Sequence, residues 1–65
     1  MRILLNGTEH RLAASRLDQA LEALGYKGAV VATAVNGRFV PTARRATTPL
    51  AEGDHLVVLA PMQGG

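Results

Sequence analysis

Gly64 and Gly65, at the C-terminal end of the sequence, are the residues with the most distinctive chemistry. A C-terminal glycine carbonyl has neither a Cβ beside it nor a branched neighbour, so the narrow channel of another enzyme can accept it fully extended. A carboxylate is a poor electrophile until it is activated, for example as a mixed anhydride with the adenylyl group of ATP. Sulfur, an amine or a hydroxyl can then attack the Gly65 carbonyl. We therefore predict that Gly65 is a reactive group; the alternative is a frayed or added end.

The other chemically capable side chains predict no active site. His10 and His55 are isolated, and a metal site needs several convergent ligands. Ser15 fits a helix N-cap better than a nucleophile, since no base lies near it in sequence. Glu52 and Asp54 flank a glycine, which is typical of a β-turn. We therefore predict no catalytic residue and no metal site. The sequence also has no phosphate-cradling glycine loop, so a partner enzyme must supply any ATP chemistry and no cofactor is bound stably.

Composition narrows the class of protein. The chain has 65 residues, of which 48% are hydrophobic and 18% charged, which predicts one small globular domain without room for a deep cleft. It has no cysteine, which favours a cytoplasmic location over a disulfide-stapled extracellular one. No signal peptide or membrane span is predicted. The net charge is only +2. Arg38, Arg44 and Arg45 lack the longer basic stripe and stacking aromatics of nucleic-acid binders, so we expect a solvated loop or a protein-docking role for them.

Hydrophobic periodicity predicts two hairpins and one helix. The first hairpin runs from Met1 to Leu12 around the type I′ turn signal Asn6-Gly7, and the second covers residues 29–41 around Asn36-Gly37. Leu17, Ala20, Leu21 and Leu24 fall on one face of a helix over residues 16–24, with Ser15 as its cap and Gly25 as its end.

The remaining segments complete an α+β domain. Residues 42–50 are predicted as a loop with at most one helical turn, residues 52–54 as a turn, and residues 55–60 as the last strand. The simplest packing lays the helix across one face of a mixed four- to five-stranded sheet, with the first and last strands parallel and adjacent at its centre. We expect a single domain over residues 1–60 and a flexible C-terminal tail over residues 61–65.

Four segments together resemble a known family. They are Ile3-Leu4-Leu5-Asn6-Gly7, Val35-Asn36-Gly37-Arg38-Phe39-Val40-Pro41, Glu52-Gly53-Asp54 before an apolar strand, and the ending Pro61-Met62-Gln63-Gly64-Gly65. In this order, and at this short length, they resemble the sulfur carrier protein of thiamine thiazole biosynthesis over nearly the whole chain. That family has the β-grasp fold of ubiquitin.

The resemblance implies a carrier cycle. An adenylating enzyme of the ubiquitin-activating type would use ATP to convert Gly65 to an acyl-adenylate. A sulfur donor, a cysteine desulfurase or a rhodanese-like protein, would then produce a C-terminal thiocarboxylate. Thiazole synthase would receive the sulfur. Gly65 would carry the group, and Gly64 and Gln63 would belong to the tail that gives it reach.

The resemblance also implies a docking surface. Counting back from the tail, as in ubiquitin-like proteins, Leu4, Val57 and Leu59 should share the face of the sheet opposite the helix. Such an exposed apolar patch would suit the adenylating enzyme and the synthase. The alternative is ordinary burial of these residues beneath a loop. Arg44 and Arg45 could steer an acidic partner surface.

Three other functions stay open at this point. The small subunit of molybdopterin synthase shares the fold, the terminal glycines and the thiocarboxylate, but typically has a longer chain. A protein modifier would be joined through Gly65 to lysines of its targets. A plain binding module would have an inert tail.

Overall fold

The computed structural model describes residues 1–60, which form one helix packed against a five-stranded mixed sheet. The α+β architecture predicted from the sequence is therefore confirmed. The elements in chain order are β1 Arg2–Leu5, β2 Thr8–Arg11, α1 Leu17–Ala23, β3 Ala32–Val35, β4 Arg38–Val40, a 3₁₀ helix Thr42–Thr47 and β5 His55–Leu59.

The strand order in the sheet is β2-β1-β5-β3-β4, which places the last strand at the centre. β5 runs parallel to β1 and antiparallel to β3, as the sequence predicts for the first and last strands. The two hairpins, β1 with β2 and β3 with β4, therefore lie on opposite sides of β5.

The two Asn-Gly turns have the predicted geometry. Asn6 and Gly7 have φ values of 48° and 85°, and Asn36 and Gly37 have φ values of 50° and 82°. Positive φ at both central positions defines the type I′ turn, which asparagine and glycine adopt more easily than other residues. The sequence thus determines where both hairpins reverse.

The start of α1 differs from the prediction, because Ser15 does not cap the helix. The Oε1 atom of Gln19 reaches back instead and accepts hydrogen bonds from the Ser15 and Arg16 backbone N–H groups at 3.0 and 3.2 Å. The Ser15 hydroxyl donates to the same oxygen at 3.0 Å. One amide oxygen therefore engages the donors that precede the helix. The hydrogen bond from Arg16 to Asp18 lowers the pKa of the Asp18 carboxyl.

The end of α1 agrees with the prediction. Gly25 has a φ of 91° and donates its N–H to the Glu22 carbonyl oxygen at 3.1 Å. Tyr26 donates to the Leu21 carbonyl oxygen at 2.8 Å. This pair of bonds is the Schellman motif, in which a left-handed glycine satisfies the last carbonyls of a helix.

β3 is shorter than predicted, because residues 29–31 do not join the ladder. The Ala29 N–H donates to the Tyr26 carbonyl oxygen at 2.9 Å, and Gly28 has a φ of 78°. The chain is still completing a turn at this point, so the apolar run from Ala29 begins outside the sheet.

The core lies between α1 and one face of the sheet. Its buried apolar residues are Ile3, Leu17, Ala20, Leu21, Val40, Leu50, Leu56 and Val58. Leu56 and Val58 belong to this core, on the face of β5 opposite Val57 and Leu59. Within residues 1–60, no helix has the length and apolar character needed to cross a membrane.

Candidate functional site

The three predicted docking residues lie on the sheet face opposite α1, which we call the outer face. Leu4 pairs with His55 across β1 and β5, and Val57 and Leu59 follow at two-residue intervals along β5. Val57 is 38% exposed and Leu59 is 61% exposed, whereas Leu4 is half-buried. The structure therefore brings the three residues onto one face, and no described loop buries Val57 or Leu59.

Phe39 extends this apolar surface and was missed by the sequence analysis. It is 70% exposed and pairs with Ala34, which in turn pairs with Val57. Ala32 pairs with Leu59 in the next row. The small side chains of Ala32 and Ala34 thus lie between Phe39 and the larger apolar side chains of β5. The alternation of exposed Phe39 with buried Val40 is the sequence signal that could have identified it.

The other half of the outer face is charged. Arg2 forms ion pairs with Glu9 at 3.9 Å and Glu52 at 3.6 Å, and Arg11 pairs with Arg2 across the β1-β2 hairpin. Leu4 pairs with Glu9, so it lies at the boundary between the charged and apolar halves. A partner seated on the outer face of β3, β4 and β5 would meet the apolar side chains named above, with the charged residues of β1 and β2 along one border.

A second apolar feature adjoins the end of β5. A concavity of about 310 Å³, which we call the root pocket, is lined by Val30, Val31, Ala32, Leu59 and Ala60. Val30 is 79% exposed, more than any other large apolar side chain among residues 1–60. The apolar run from Ala29 predicts a strand through Val30, whereas Val30 lies outside the ladder and is exposed.

The two arginines predicted to steer a partner lie apart from the apolar half. Both belong to the 3₁₀ helix, which packs against α1 on the core side of the sheet. Arg45 is half-buried and donates from Nη2 to the Val31 carbonyl oxygen at 2.6 Å and from Nε to Thr33 Oγ1 at 3.2 Å. Its guanidinium thus fixes the chain beside the root pocket. Arg44 is exposed.

Asn6 holds the last part of β5 in place. Its Nδ2 donates to the Val58 carbonyl oxygen at 3.1 Å, and its Oδ1 accepts the Val58 N–H at 3.0 Å. The side-chain amide therefore continues the β1-β5 ladder one step beyond the end of β1. Asn36 makes a comparable bond at the start of β5, accepting the His55 N–H at 2.9 Å.

The remaining candidates from the sequence have ordinary positions. Glu52 and Asp54 lie in the turn before β5, where Asp54 Oδ2 accepts the Ala51 N–H at 2.8 Å. His10 lies on the edge strand β2 and His55 is exposed on the outer face. Residues 1–60 contain no group of three or more histidine or acidic side chains that could hold a metal ion. Gln63, Gly64 and Gly65 lie outside the described residues.

Comparison with known proteins gives a consistent result. Residues 3–65 match the model of the ThiS family. The fold is similar to the crystal structure of the thiamine biosynthesis protein ThiS from Geobacter metallireducens, with a TM-score of 0.84 and 25% sequence identity over 100% of both chains. No curated protein sequence matches the chain.

Proposed function

The chain belongs to the ThiS family, and from this premise we propose that Gly65 carries sulfur for the thiazole of thiamine. Membership confirms the predicted resemblance, including the β-grasp fold and the role of a small sulfur carrier in thiamine biosynthesis. The observation that carries the proposal is the extent of the family match, which runs through residue 65 and so includes both terminal glycines.

The proposed chemistry needs two steps on the Gly65 carboxylate. A carboxylate oxygen attacks the α-phosphorus of ATP in the adenylating enzyme, and pyrophosphate leaves. Sulfide then attacks the carbonyl carbon of the acyl-adenylate, AMP leaves, and a thiocarboxylate remains. Where a persulfide is the donor, its terminal sulfur displaces AMP to give an acyl disulfide, and a thiol then reduces the S–S bond to release the donor thiol and the thiocarboxylate. A thiocarboxylate is softer and more nucleophilic than a carboxylate, so thiazole synthase can take sulfur from it without release of sulfide to solvent. The ATP stays with the partner enzyme.

The docking role proposed for the outer face is supported by the exposed apolar residues there. Val57, Leu59 and Phe39 present a continuous apolar surface that ends at the last residue of β5, with Leu4 at its border. Contiguous exposed apolar area usually marks a partner surface. We propose that the adenylating enzyme and thiazole synthase both use it, and that exposed Arg44 contributes to steering by charge.

The proposed function is tested by loading the carrier in vitro. Incubation with the cognate adenylating enzyme, ATP and sulfide should change the intact mass by one oxygen replaced with sulfur. A reaction without ATP is the control. Transfer of this sulfur to the thiazole synthase reaction supports the thiazole branch, whereas transfer to a molybdopterin precursor supports the molybdopterin alternative. Conjugates to other proteins would indicate a modifier, and an unchanged mass would indicate an inert module.

Deletion of Gly65 sharpens this test. The shortened chain should not be loaded, because the acceptor carbonyl is lost. Its thermal unfolding should match that of the full chain, since the buried core found among residues 1–60 lies within residues 3–58. Loading of the shortened chain would contradict the assignment of Gly65.

A further inference from the structure

We propose that the root pocket receives an apolar side chain of the adenylating enzyme and is the contact that fixes the carrier while Gly65 enters the active site. This inference rests on the proposed function, because it assumes that Gly65 is the acyl group that is activated. It adds a site that involves Val30, which lies outside the sheet and outside the outer-face surface described above.

The residues around the root pocket expose a large amount of apolar surface. Val30 and Leu59 are 79% and 61% exposed, and they flank a concavity of about 310 Å³ whose five lining residues are all apolar. A small protein gains nothing for its own stability from apolar side chains that stay in water. A concave apolar site of this kind fits a single inserted side chain from another protein.

The root pocket lies at the end of the central strand. Leu59 is the last residue of β5 and pairs with Ala32, so the pocket lies where the chain leaves the sheet. Five residues, 61–65, connect Ala60 to the Gly65 carboxylate. Even a fully extended chain of this length spans at most about 17 Å. An enzyme that binds the Gly65 carboxylate in a closed active site is therefore held within about 17 Å of the end of β5, which is where the root pocket lies.

Side-chain hydrogen bonds hold the backbone around the root pocket in place. The Arg45 guanidinium binds the Val31 carbonyl oxygen at 2.6 Å, and Asn6 binds both backbone groups of Val58, the residue before Leu59. Hydrogen bonds from other elements thus hold the backbone of Val31, which lines the pocket, and of Val58, which precedes the lining residue Leu59. A site that is already ordered loses little conformational entropy when it is filled, which favours its use as an anchor.

The lining of the root pocket determines which kind of side chain can bind there. None of the five lining residues carries a charge or a side-chain hydrogen-bonding group. A charged partner group would lose its hydration there without compensation. The matching feature on the enzyme is therefore a leucine, isoleucine, methionine or phenylalanine beside the entrance of the channel that admits Gly65.

The experiment measures pyrophosphate release by the cognate adenylating enzyme as a function of carrier concentration. Val30→Asp and Leu59→Asp should each lower kcat/KM by about tenfold or more, which is the effect expected when the burial of one valine or leucine side chain is lost. Ala13→Asp is the matched control, because it adds the same charge at an exposed site near Met1 and Arg11, and it should leave kcat/KM unchanged. Val30→Ile should retain wild-type behaviour.

A competition assay separates docking from the reaction of the tail. The chain lacking Gly65 should inhibit loading of the full chain competitively, since it keeps the pocket. The same chain with Val30→Asp should lose most of this inhibition. Circular dichroism and thermal unfolding of each variant establish that the fold is retained.

The outcomes distinguish this inference from the proposed function. If the wild-type chain is never adenylated, the proposed function fails. If it is adenylated and Val30→Asp matches Ala13→Asp, the pocket is not the anchor and this inference is overturned. A Val30→Asp chain that unfolds at lower temperature, or a wild-type chain whose self-association is lost on this substitution, would show that the pocket is covered by the same chain or by a second copy, and would also overturn it.

Discussion

Thr33 is the one buried polar side chain among residues 1–60, with 2% exposure. Its hydroxyl donates to the Val40 carbonyl oxygen at 2.7 Å and accepts a hydrogen bond from Arg45 Nε at 3.2 Å. It therefore links three elements, β3, β4 and the 3₁₀ helix, from inside the protein. Arg45 continues this connection to Val31 in the wall of the root pocket.

Replacement of Thr33 by valine should lower the free energy of unfolding by about 1–3 kcal/mol. The substitution keeps the shape of the side chain but leaves buried polar partners without their hydrogen bonds, and this is the cost typical of such groups. Urea unfolding measures the change. Thr42→Val is the control, since Thr42 is exposed and should tolerate the same replacement within about 0.5 kcal/mol. An equal loss from both variants would contradict a special role for the Thr33 hydroxyl.

The sequence predicts the conformation and hydrogen bonds of some residues better than those of others. Asn6 and Asn36 were predicted in left-handed turns, because few other residues accept positive φ beside glycine. Ser15 was predicted as a cap and is not, because its hydroxyl donates to Gln19 Oε1, and the Leu17 N–H, a donor that a cap at Ser15 could engage, binds the Thr48 carbonyl oxygen at 2.9 Å. Which groups engage the first N–H groups of a helix depends on tertiary geometry that a local sequence pattern does not contain.

At the scale of elements, β5 is held from both sides by the turns of the two hairpins. Asn6 binds the backbone of Val58 near its end, and Asn36 binds the N–H of His55 at its start. Each Asn-Gly turn therefore does more than reverse the chain, because its side-chain amide replaces a backbone partner that the neighbouring strand does not supply. The central strand leads directly to the C-terminal residues, so these bonds set the direction of the chain at Leu59.

Asn6→Gly should cost about 1–3 kcal/mol in free energy of unfolding, because two partly buried backbone bonds are lost. Glycine accepts the turn's positive φ without strain. Asn36→Gly makes the same chemical change in a matching turn, but its bonds are exposed and water can replace them, so we expect a loss below about 1 kcal/mol. Amide hydrogen exchange at Val58 should quicken in Asn6→Gly alone. Equal losses of unfolding free energy in the two variants, or unchanged hydrogen exchange at Val58, would contradict the proposal that Asn6 holds the end of β5.

The order and type of the elements were predictable, whereas their ends were less so. Alternation and helical periodicity gave both hairpins, the helix and the last strand in the observed order. The start of β3 was wrong by three residues, because Gly28 and the Ala29-Tyr26 hydrogen bond extend the preceding turn into an apolar run. Because the strand was predicted to start too early, neither the exposure of Val30 nor the root pocket was predicted.

For the whole molecule, the alternation along β5 gives the strand one buried face and one exposed face. Leu56 and Val58 are buried against α1, and the residues between and after them, Val57 and Leu59, lie on the outer face. Because such alternation can be read from the sequence, the shared outer face of Leu4 on β1 and of Val57 and Leu59 on β5 could be predicted. The alternation of Phe39 with Val40 could have placed Phe39 on the same face, but its 70% exposure also depends on β4 being an edge strand of three residues, which the sequence pattern does not show.

Leu56→Ala should therefore lower the stability of the domain strongly, whereas Val57→Ala should change it little. Leu56 has 0% exposure, and removal of a leucine from a packed core costs about 2–5 kcal/mol. A domain of this size has a total stability of about 3–10 kcal/mol, so Leu56→Ala should unfold at much lower urea concentration. Val57 is 38% exposed, and Val57→Ala should change stability by less than about 1 kcal/mol. Urea unfolding followed by circular dichroism measures both.

The same pair tests whether the outer face acts as a surface for the enzyme. At a temperature where both variants are folded, Val57→Ala should raise the carrier concentration needed for half-maximal adenylation, because the side chain is part of the proposed contact. Leu56→Ala should leave that concentration close to the wild-type value, since its side chain points into the core and cannot touch a partner. The reverse result would mean that partners recognise the stability or packing of the domain rather than the apolar side chains on its outer face.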